Sequence, residues 1–124
     1  MPTVKNILLV DDDELSIAFN KYILEEFDPT LTITVCKNGV EAMNYFKSTS
    51  TYPDLVLLDI SMPLMDGFEF LDWYVVHAKN TTRIVMCSTS SREEEKLRAR
   101  SYGSNVVGYI EKPCSKEKIK PFIA

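Results

Sequence analysis

The sequence is poor in the residues that build several common kinds of site. Three cysteines, Cys36, Cys87 and Cys114, occur in 124 residues. They are too few and too widely spaced for a disulfide framework or a zinc site, and their odd number leaves at least one unpaired. No apolar run approaches the ~20 residues needed to cross a bilayer. No stripe of lysine and arginine is present either, and a net charge of −4 with a pI near 5.0 would repel a nucleic-acid backbone. Membrane spanning and direct nucleic-acid binding are therefore excluded as expectations. The segment Met1-Pro2-Thr3-Val4-Lys5-Asn6 lacks the apolar core of a signal peptide, which together with the unpaired thiols predicts a cytoplasmic protein. Asn80-Thr81-Thr82 matches a glycosylation sequon, but so short a match arises readily by chance. No linker, repeat or low-complexity stretch divides the chain, so residues 1–124 are read as one domain.

What is present is an alternation. Five runs rich in β-branched and aliphatic residues, Val4 to Val10, Leu31 to Cys36, Asp54 to Ile60, Arg83 to Ser88 and Val106 to Ile110, are separated by the room that a crossover helix needs. Ile7-Leu8-Leu9-Val10 and Leu55-Val56-Leu57-Leu58 are continuously apolar, as central parallel strands covered on both faces must be. Helical spacing intervenes. Leu15, Ala18, Phe19, Tyr22, Ile23 and Phe27 outline a first helix that Asp28-Pro29 ends. Val40, Met43 and Phe46 mark a second; Phe68, Leu71, Tyr74 or Val75, and Ala78 mark a third, capped by Asp66 with Glu69. A fourth, from about Ser91 to Ser101, is mostly charged with Leu97 as its one large aliphatic, and is predicted to dock weakly and move easily. A fifth begins near Ser115 and shows Ile119, Phe122 and Ile123, with Pro121 predicted to kink or shorten it.

Such a βα alternation builds an α/β open, doubly wound parallel sheet, whose ligands sit outside the carboxyl ends of the strands. Those ends carry Asp11, Asp12 and Asp13, then Asp59, Ser88 and Lys112. Each close pair of carboxylates repels by ~1 kcal/mol in water and by several at an effective dielectric near 20, so gathering them calls for a cation. All-oxygen ligation without histidine or thiolate points to magnesium, with manganese as the other cation of that class. An ammonium and a hydroxyl facing such a metal suit the equatorial oxygens of a transferred phosphoryl group, with Asp59 as the oxygen nucleophile.

Val10-Asp11-Asp12-Asp13, the segment Leu57-Leu58-Asp59-Ile60-Ser61-Met62-Pro63-Leu64-Met65-Asp66-Gly67, Cys87-Ser88 and Gly108-Tyr109-Ile110-Glu111-Lys112-Pro113 together resemble the receiver domain of two-component response regulators. The resemblance spans essentially the whole chain. It implies a flavodoxin-like sheet of five strands in the order 2-1-3-4-5 with five helices. It also implies Asp59 as phosphoacceptor for a histidine kinase or phosphotransfer protein, and magnesium held by Asp12, Asp59 and the Ser61 carbonyl, with Asp11 acting through water. Ser88 and Lys112 are implied to hold phosphoryl oxygens, Ser88 and Tyr109 to form a switch, and Lys112-Pro113 to be cis. By the same resemblance the chain is a signalling switch rather than an enzyme. Phosphorylation, which adds roughly two negative charges, would reshape the surface of the fourth helix, fifth strand and fifth helix for an unknown downstream target, with a homodimer on activation as one outcome.

Two departures from the family pattern stand out. Thr89 replaces the usual alanine and Cys114 the usual aromatic. With the short Ser61 and Ser90 where hydrolysis is tuned, they predict a phosphorylated form of moderate to long life. Other residues read more simply as structure: Asp13, Glu14 and Asp66 as helix-cap charges, Trp73, Met62, Met65 and Met86 as packing, the single His77 as a surface or half-buried residue without chemistry, and Glu93-Glu94-Glu95-Lys96 as a solvated face. Two other functions compete. Asp11-x-Asp13 also suits a haloacid-dehalogenase-type phosphatase, though no aspartate follows Lys112 and the chain is short for one. A receiver-shaped docking module that is never phosphorylated is the other.

Overall fold

The computed structural model describes residues 4–78 and 81–123. Elements alternate without exception: β1 (Asn6–Val10), α1 (Glu14–Phe27), β2 (Thr32–Cys36), α2 (Gly39–Ser48), β3 (Leu55–Asp59), α3 (Gly67–His77), β4 (Arg83–Ser88), α4 (Glu93–Arg100), β5 (Val106–Glu111) and α5 (Lys116–Ile123). The strands form one parallel sheet in the order β2-β1-β3-β4-β5, the flavodoxin-like topology expected. No described helix is long and apolar enough to cross a membrane.

Burial explains the order. Every residue of β3 is buried, as are the last four of β1 and the last five of β4, so the apolar runs occupy the middle of the sheet and the more polar β2 and β5 its edges. Alternate side chains feed two core layers. Leu8, Val10, Val56, Leu58, Ile84 and Met86 face α2, α3 and α4 together with Phe46, Phe70 and Tyr74. Ile7, Leu9, Leu57, Val85 and Cys87 face α1 and α5 with Ile23, Leu24 and Ile119.

Three expectations about helices are corrected. In α1 the buried residues are Ile17, Asn20, Ile23 and Leu24, whereas Leu15, Phe19 and Tyr22 are 81%, 48% and 61% exposed. Of the expected stripe, Ile23 is buried and Phe27 packs against the core, and the face that meets the sheet is completed by Ile17, Leu24 and the polar Asn20. In α4 the helix starts after Arg92 with no side-chain cap. The Ser90 hydroxyl accepts from the Arg92 N–H at 3.1 Å, and this turn moves the helix start past Ser91. Leu97 is exposed and Ala99 is the one buried residue of α4. In α5 the helix runs through Pro121 to Ile123. Ile119 is fully buried beneath it, and Arg83 Nη2 donates to the Phe122 carbonyl at 2.9 Å, so burial and one tie at the C-terminal end outweigh the hydrogen bond that Pro121 cannot donate. The third helix buries Tyr74 and exposes Val75, and its Asp66 and Glu69 form a capping box. Asn80 of the sequon lies outside the described residues, and Thr82 is buried with Oγ1 donating to the Pro53 carbonyl at 2.7 Å.

The phase of α1 is open to direct measurement. Leu24→Ala is expected to lower stability by about 2–5 kcal/mol, whereas Phe19→Ser and Tyr22→Ser each change it by less than about 0.5 kcal/mol, all read by urea denaturation. Equal losses from all three would return the apolar stripe to the sheet.

Candidate functional site

The acids meet because two central strands end side by side. β1 and β3 pair with Val10 opposite Leu58, and one further residue on each strand sets Asp11 beside Asp59. The Asp11 N–H donates to the Cys36 carbonyl at 3.0 Å, prolonging the ladder past β1. Asp11 and Asp59 are 4% and 8% exposed, and Asp12 is exposed. One carboxylate oxygen from each of Asp11, Asp12 and Asp59 lies within 4.8 Å of the other two. The Asp13 N–H donates to Asp11 Oδ1 at 2.9 Å and orients that carboxylate.

Lys112 enters from the other side. Its N–H donates to the Ser88 carbonyl at 2.6 Å, and its Nζ lies 2.9 Å from Asp11 Oδ2, 3.4 Å from Asp59 Oδ1 and 3.5 Å from Ser16 Oγ. One ammonium thus bridges two of three carboxylates. Burial opposes the Lys112 charge, but the hydrogen bond it donates to Asp11 and the charges of Asp59 and Asp11 outweigh it and hold its pKa above the ordinary lysine value. Asp59 goes the other way from a usual ion pair. Burial, then the charges of Asp11 and Asp12, push its carboxyl up to about 6 despite Lys112. The surplus of negative charge raises the Lys112 pKa outright, and for Asp59 it adds to burial, the larger cause.

The donor set fits a hard divalent cation: three carboxylates, all-oxygen ligation, and one ammonium that cancels only part of the charge. Ser61, two residues past Asp59, is exposed at the start of the loop leading to α3. Ser88 ends β4, is 6% exposed, and stands one residue beyond Cys87, the partner of Asp59 across the ladder. Its Oγ accepts the Ser90 N–H at 3.0 Å. Tyr109 is half-buried, donates its hydroxyl to the Ser90 carbonyl at 2.9 Å, and carries Lys96 Nζ 5.8 Å above its ring. Ser90 therefore ties Ser88 to Tyr109. Thr89 is exposed and Cys114 buried.

A residue whose role sequence reasoning missed is Gly67. A Cβ there would lie 2.4 Å from the Asp59 carbonyl oxygen and 3.1 Å from Ile60 Cα, so only glycine lets α3 start against the end of β3. The Gly67 N–H also donates to the Ile60 carbonyl at 2.8 Å. The signal was the Asp-Gly pair itself, a cap followed by a residue without a side chain.

Residues read as structure are placed as structure. Asp13 caps α1 by accepting the Leu15 N–H at 3.2 Å, and Glu14 pairs with Lys37. Met86 is fully buried, and Met62, Met65 and Trp73 are half-buried against the core. His77 is exposed, stacks on Trp73, and has Nδ1 3.0 Å from the Trp73 carbonyl. The charged run pairs at i, i+3 spacing, Lys96 with Glu93 at 3.7 Å and Arg92 with Glu95 at 3.9 Å. With Asp13 turned to capping, the carboxylate pair that a haloacid-dehalogenase-type phosphatase requires is not assembled, and that reading is not favoured.

Comparison with known proteins agrees with this arrangement. The family profile described as the response regulator receiver domain matches residues 7–124. The chain is 36% identical over 121 residues to the chemotaxis protein CheY of Halobacterium salinarum, a match covering 97% of this chain and 94% of that protein. It is 34% identical over 107 residues to a protein-glutamate methylesterase/protein-glutamine glutaminase of Geobacter metallireducens, covering 86% of this chain and only 29% of that larger protein. Among solved structures it superposes on the phosphorylated cyanobacterial phytochrome response regulator RcpA with a TM-score of 0.80 at 25% identity, over 98% of this chain and 89% of that one.

The raised Asp59 pKa has a signed consequence for stability. In the metal-free protein the ionised carboxylate costs stability at pH 7, and the cost disappears as pH falls through about 6 toward the unfolded value of 3.8. Asp59→Asn is therefore expected to be the more stable chain at pH 7, by about 1–2 kcal/mol, with the gap closing by pH 4.5. A gap that is constant or grows on acidification in urea titrations contradicts the crowding of charge at this site.

Proposed function

The chain belongs to the response regulator receiver domain family, and from that premise we propose that Asp59 accepts a phosphoryl group from a partner histidine kinase or phosphotransfer protein, in a magnesium-dependent reaction, and that the modification switches the surface of α4, β5 and α5. The reading covers residues 1–124 as a single receiver domain working in the cytoplasm as a signalling domain, not as an enzyme acting on a separate substrate. One observation carries it: three carboxylates within 4.8 Å of one another, two of them bridged by Lys112, with a buried serine hydroxyl at the end of the adjacent strand.

Each side chain has a part. Asp59, partly ionised near neutrality despite its raised pKa, supplies the oxygen that attacks phosphorus; a P–O bond forms there as the P–N bond to the donor imidazole breaks. Asp12, Asp59 and the Ser61 carbonyl, with Asp11 acting through water, are the groups that would hold the magnesium ion, whose positive charge would offset the negative charge of the incoming phosphoryl oxygens. Lys112 Nζ, already 3.4 Å from Asp59, and the Ser88 hydroxyl hold two of the remaining oxygens. Manganese satisfies the same donors.

The switch follows from the tie at Ser90. When the Ser88 hydroxyl turns to the phosphoryl group, it gives up the orientation in which it accepts the Ser90 N–H, and the Ser90 carbonyl no longer holds the Tyr109 hydroxyl where it now lies. Tyr109 is then free to turn toward the core and α4 to shift, since Ala99 is the one buried residue that anchors that helix. The downstream target reads this surface, alone or as a homodimer.

Incubation with acetyl phosphate and magnesium, followed by intact-mass analysis, is expected to add one phosphoryl group to the wild type and none to Asp59→Asn. Lys112→Ala is expected to fold yet take up phosphate at least about tenfold more slowly, a barrier change of about 1.4 kcal/mol. Phosphorylation that survives Asp59→Asn overturns the assignment.

A further inference from the structure

Two thiols lie against the back of this site. We propose that Cys87 and Cys114 are a disulfide-forming pair that takes hydrogen peroxide as its oxidant and, once closed, ties the end of β4 to the entry of α5 directly behind Ser88 and Lys112. Both cysteines are free and buried, 2% and 5% exposed, in the core layer on the α1 and α5 face of the sheet with Leu57, Val85, Ile110 and Ile119. The Cys87 Sγ lies 3.9 Å from the Val85 carbonyl oxygen, and the two thiols are near enough to shift each other's titration. The strand register explains the meeting. Cys87 lies beside Ile110, and the Lys112 N–H donates to the Ser88 carbonyl at 2.6 Å, which carries the chain past the end of β4 just before Cys114. Cys36 belongs to the opposite core layer, with Ala42 and Phe46, and serves as an internal control.

The two sulfurs differ in a way that orders the chemistry. Hydrogen bonding to Cys87, with the charges of Lys112 and Lys118, holds the Cys114 thiol below the ordinary value against the effect of burial, whereas the same hydrogen bond and burial push the Cys87 thiol up. Cys114 is also flanked by the exposed Pro113 and the half-buried Ser115, one residue from solvent. The Cys114 thiolate attacks one peroxide oxygen: an S–O bond forms, the O–O bond breaks, and the released hydroxide takes up the thiol proton and leaves as water. The Cys87 sulfur then attacks the sulfenic sulfur: the S–S bond forms, the S–O bond breaks, and the Cys87 proton leaves with that oxygen as a second water. The two thiols lose two electrons and the peroxide gains them. A thiol reductant reverses the reaction by exchange.

The bond joins the segments that carry Ser88 and Lys112, whose carbonyl and N–H already meet at 2.6 Å, and its consequence for phosphoryl uptake rests on the function proposed above. Purified full chain treated with hydrogen peroxide, alkylated and mapped without reduction, is expected to lose the mass of two hydrogen atoms, to yield one peptide pair joined through Cys87 and Cys114, and to leave Cys36 alkylated. Cys36→Ser keeps this behaviour; Cys87→Ser and Cys114→Ser, each checked for native circular dichroism, abolish it, and so does Cys114→Val. Oxidation that stops at sulfinic acid, that pairs Cys36, or that links only separate chains overturns the proposal. In the second arm the oxidised chain takes up phosphate from acetyl phosphate at least about tenfold more slowly than the reduced chain, with recovery on reduction. Equal rates overturn the tie across the site. A reduced chain that takes up no phosphate on Asp59 overturns the function proposed above, and the peptide map then judges the thiol pair on its own.

Discussion

Repulsion among Asp11, Asp12 and Asp59 is the constraint around which the rest of the molecule is arranged. Water would keep three carboxylates apart; the sheet forces their oxygens to within 4.8 Å of one another because β1 and β3 are neighbours that end at the same level. The cost shows in the raised pKa of Asp59, and the partial remedy in Lys112, which reaches across from the end of β5 to pair with two of the three. Both core layers serve this arrangement. Central strands that are buried on both faces hold the acids with little freedom to relax, so the charge is relieved by a cation and not by movement.

How far the sequence could be read depended on whether burial and chemistry coincided. In β1 and β3 they did: continuously apolar runs had to be central, and the acids that follow them had to share one edge, so the placement of Asp11, Asp12, Asp59, Ser88 and Lys112 was legible from topology, which also gathered Asp13, the cap of α1. In α1 they did not. The helix buries Asn20 with Ile17, Ile23 and Leu24 and exposes Leu15, Phe19 and Tyr22; apolar residues on both faces left the phase ambiguous, and the packing against β1 and β2 reveals it. The start of α4 was hidden because hydroxyls at Ser88 and Ser90 accept backbone N–H groups in successive turns, a tertiary consequence of where β4 ends. Pro121 was weighed by local cost, while the burial of Ile119 and the Arg83 contact decided the outcome. Gly67 was invisible in role because its reason is a close approach to the Asp59 backbone from a different element.

The same packing separates rigid parts from movable ones. The Asp59 side of the sheet is held by fully buried strands, whereas α4 presents charged residues on almost every side and is anchored by Ala99. Between them lies Ser90, which donates its N–H to Ser88 and accepts the Tyr109 hydroxyl. A change of hydrogen-bond partner at one serine thus has a short path to the surface of α4 and β5. On the α1 and α5 face of β4, Cys87 and Cys114 share one buried cluster near the same strand end. Events at either face converge on the few residues after β4.

The central claim, that burial and neighbouring acids together hold Asp59 partly protonated until a divalent cation relieves them, makes metal binding a proton-releasing event. Calorimetric titration of the purified chain with magnesium, in buffers of differing ionisation enthalpy, measures this directly. The account predicts a single site that releases a fraction of a proton near pH 6 and essentially none at pH 8. Binding with no proton release near pH 6, or no binding at all, would contradict it.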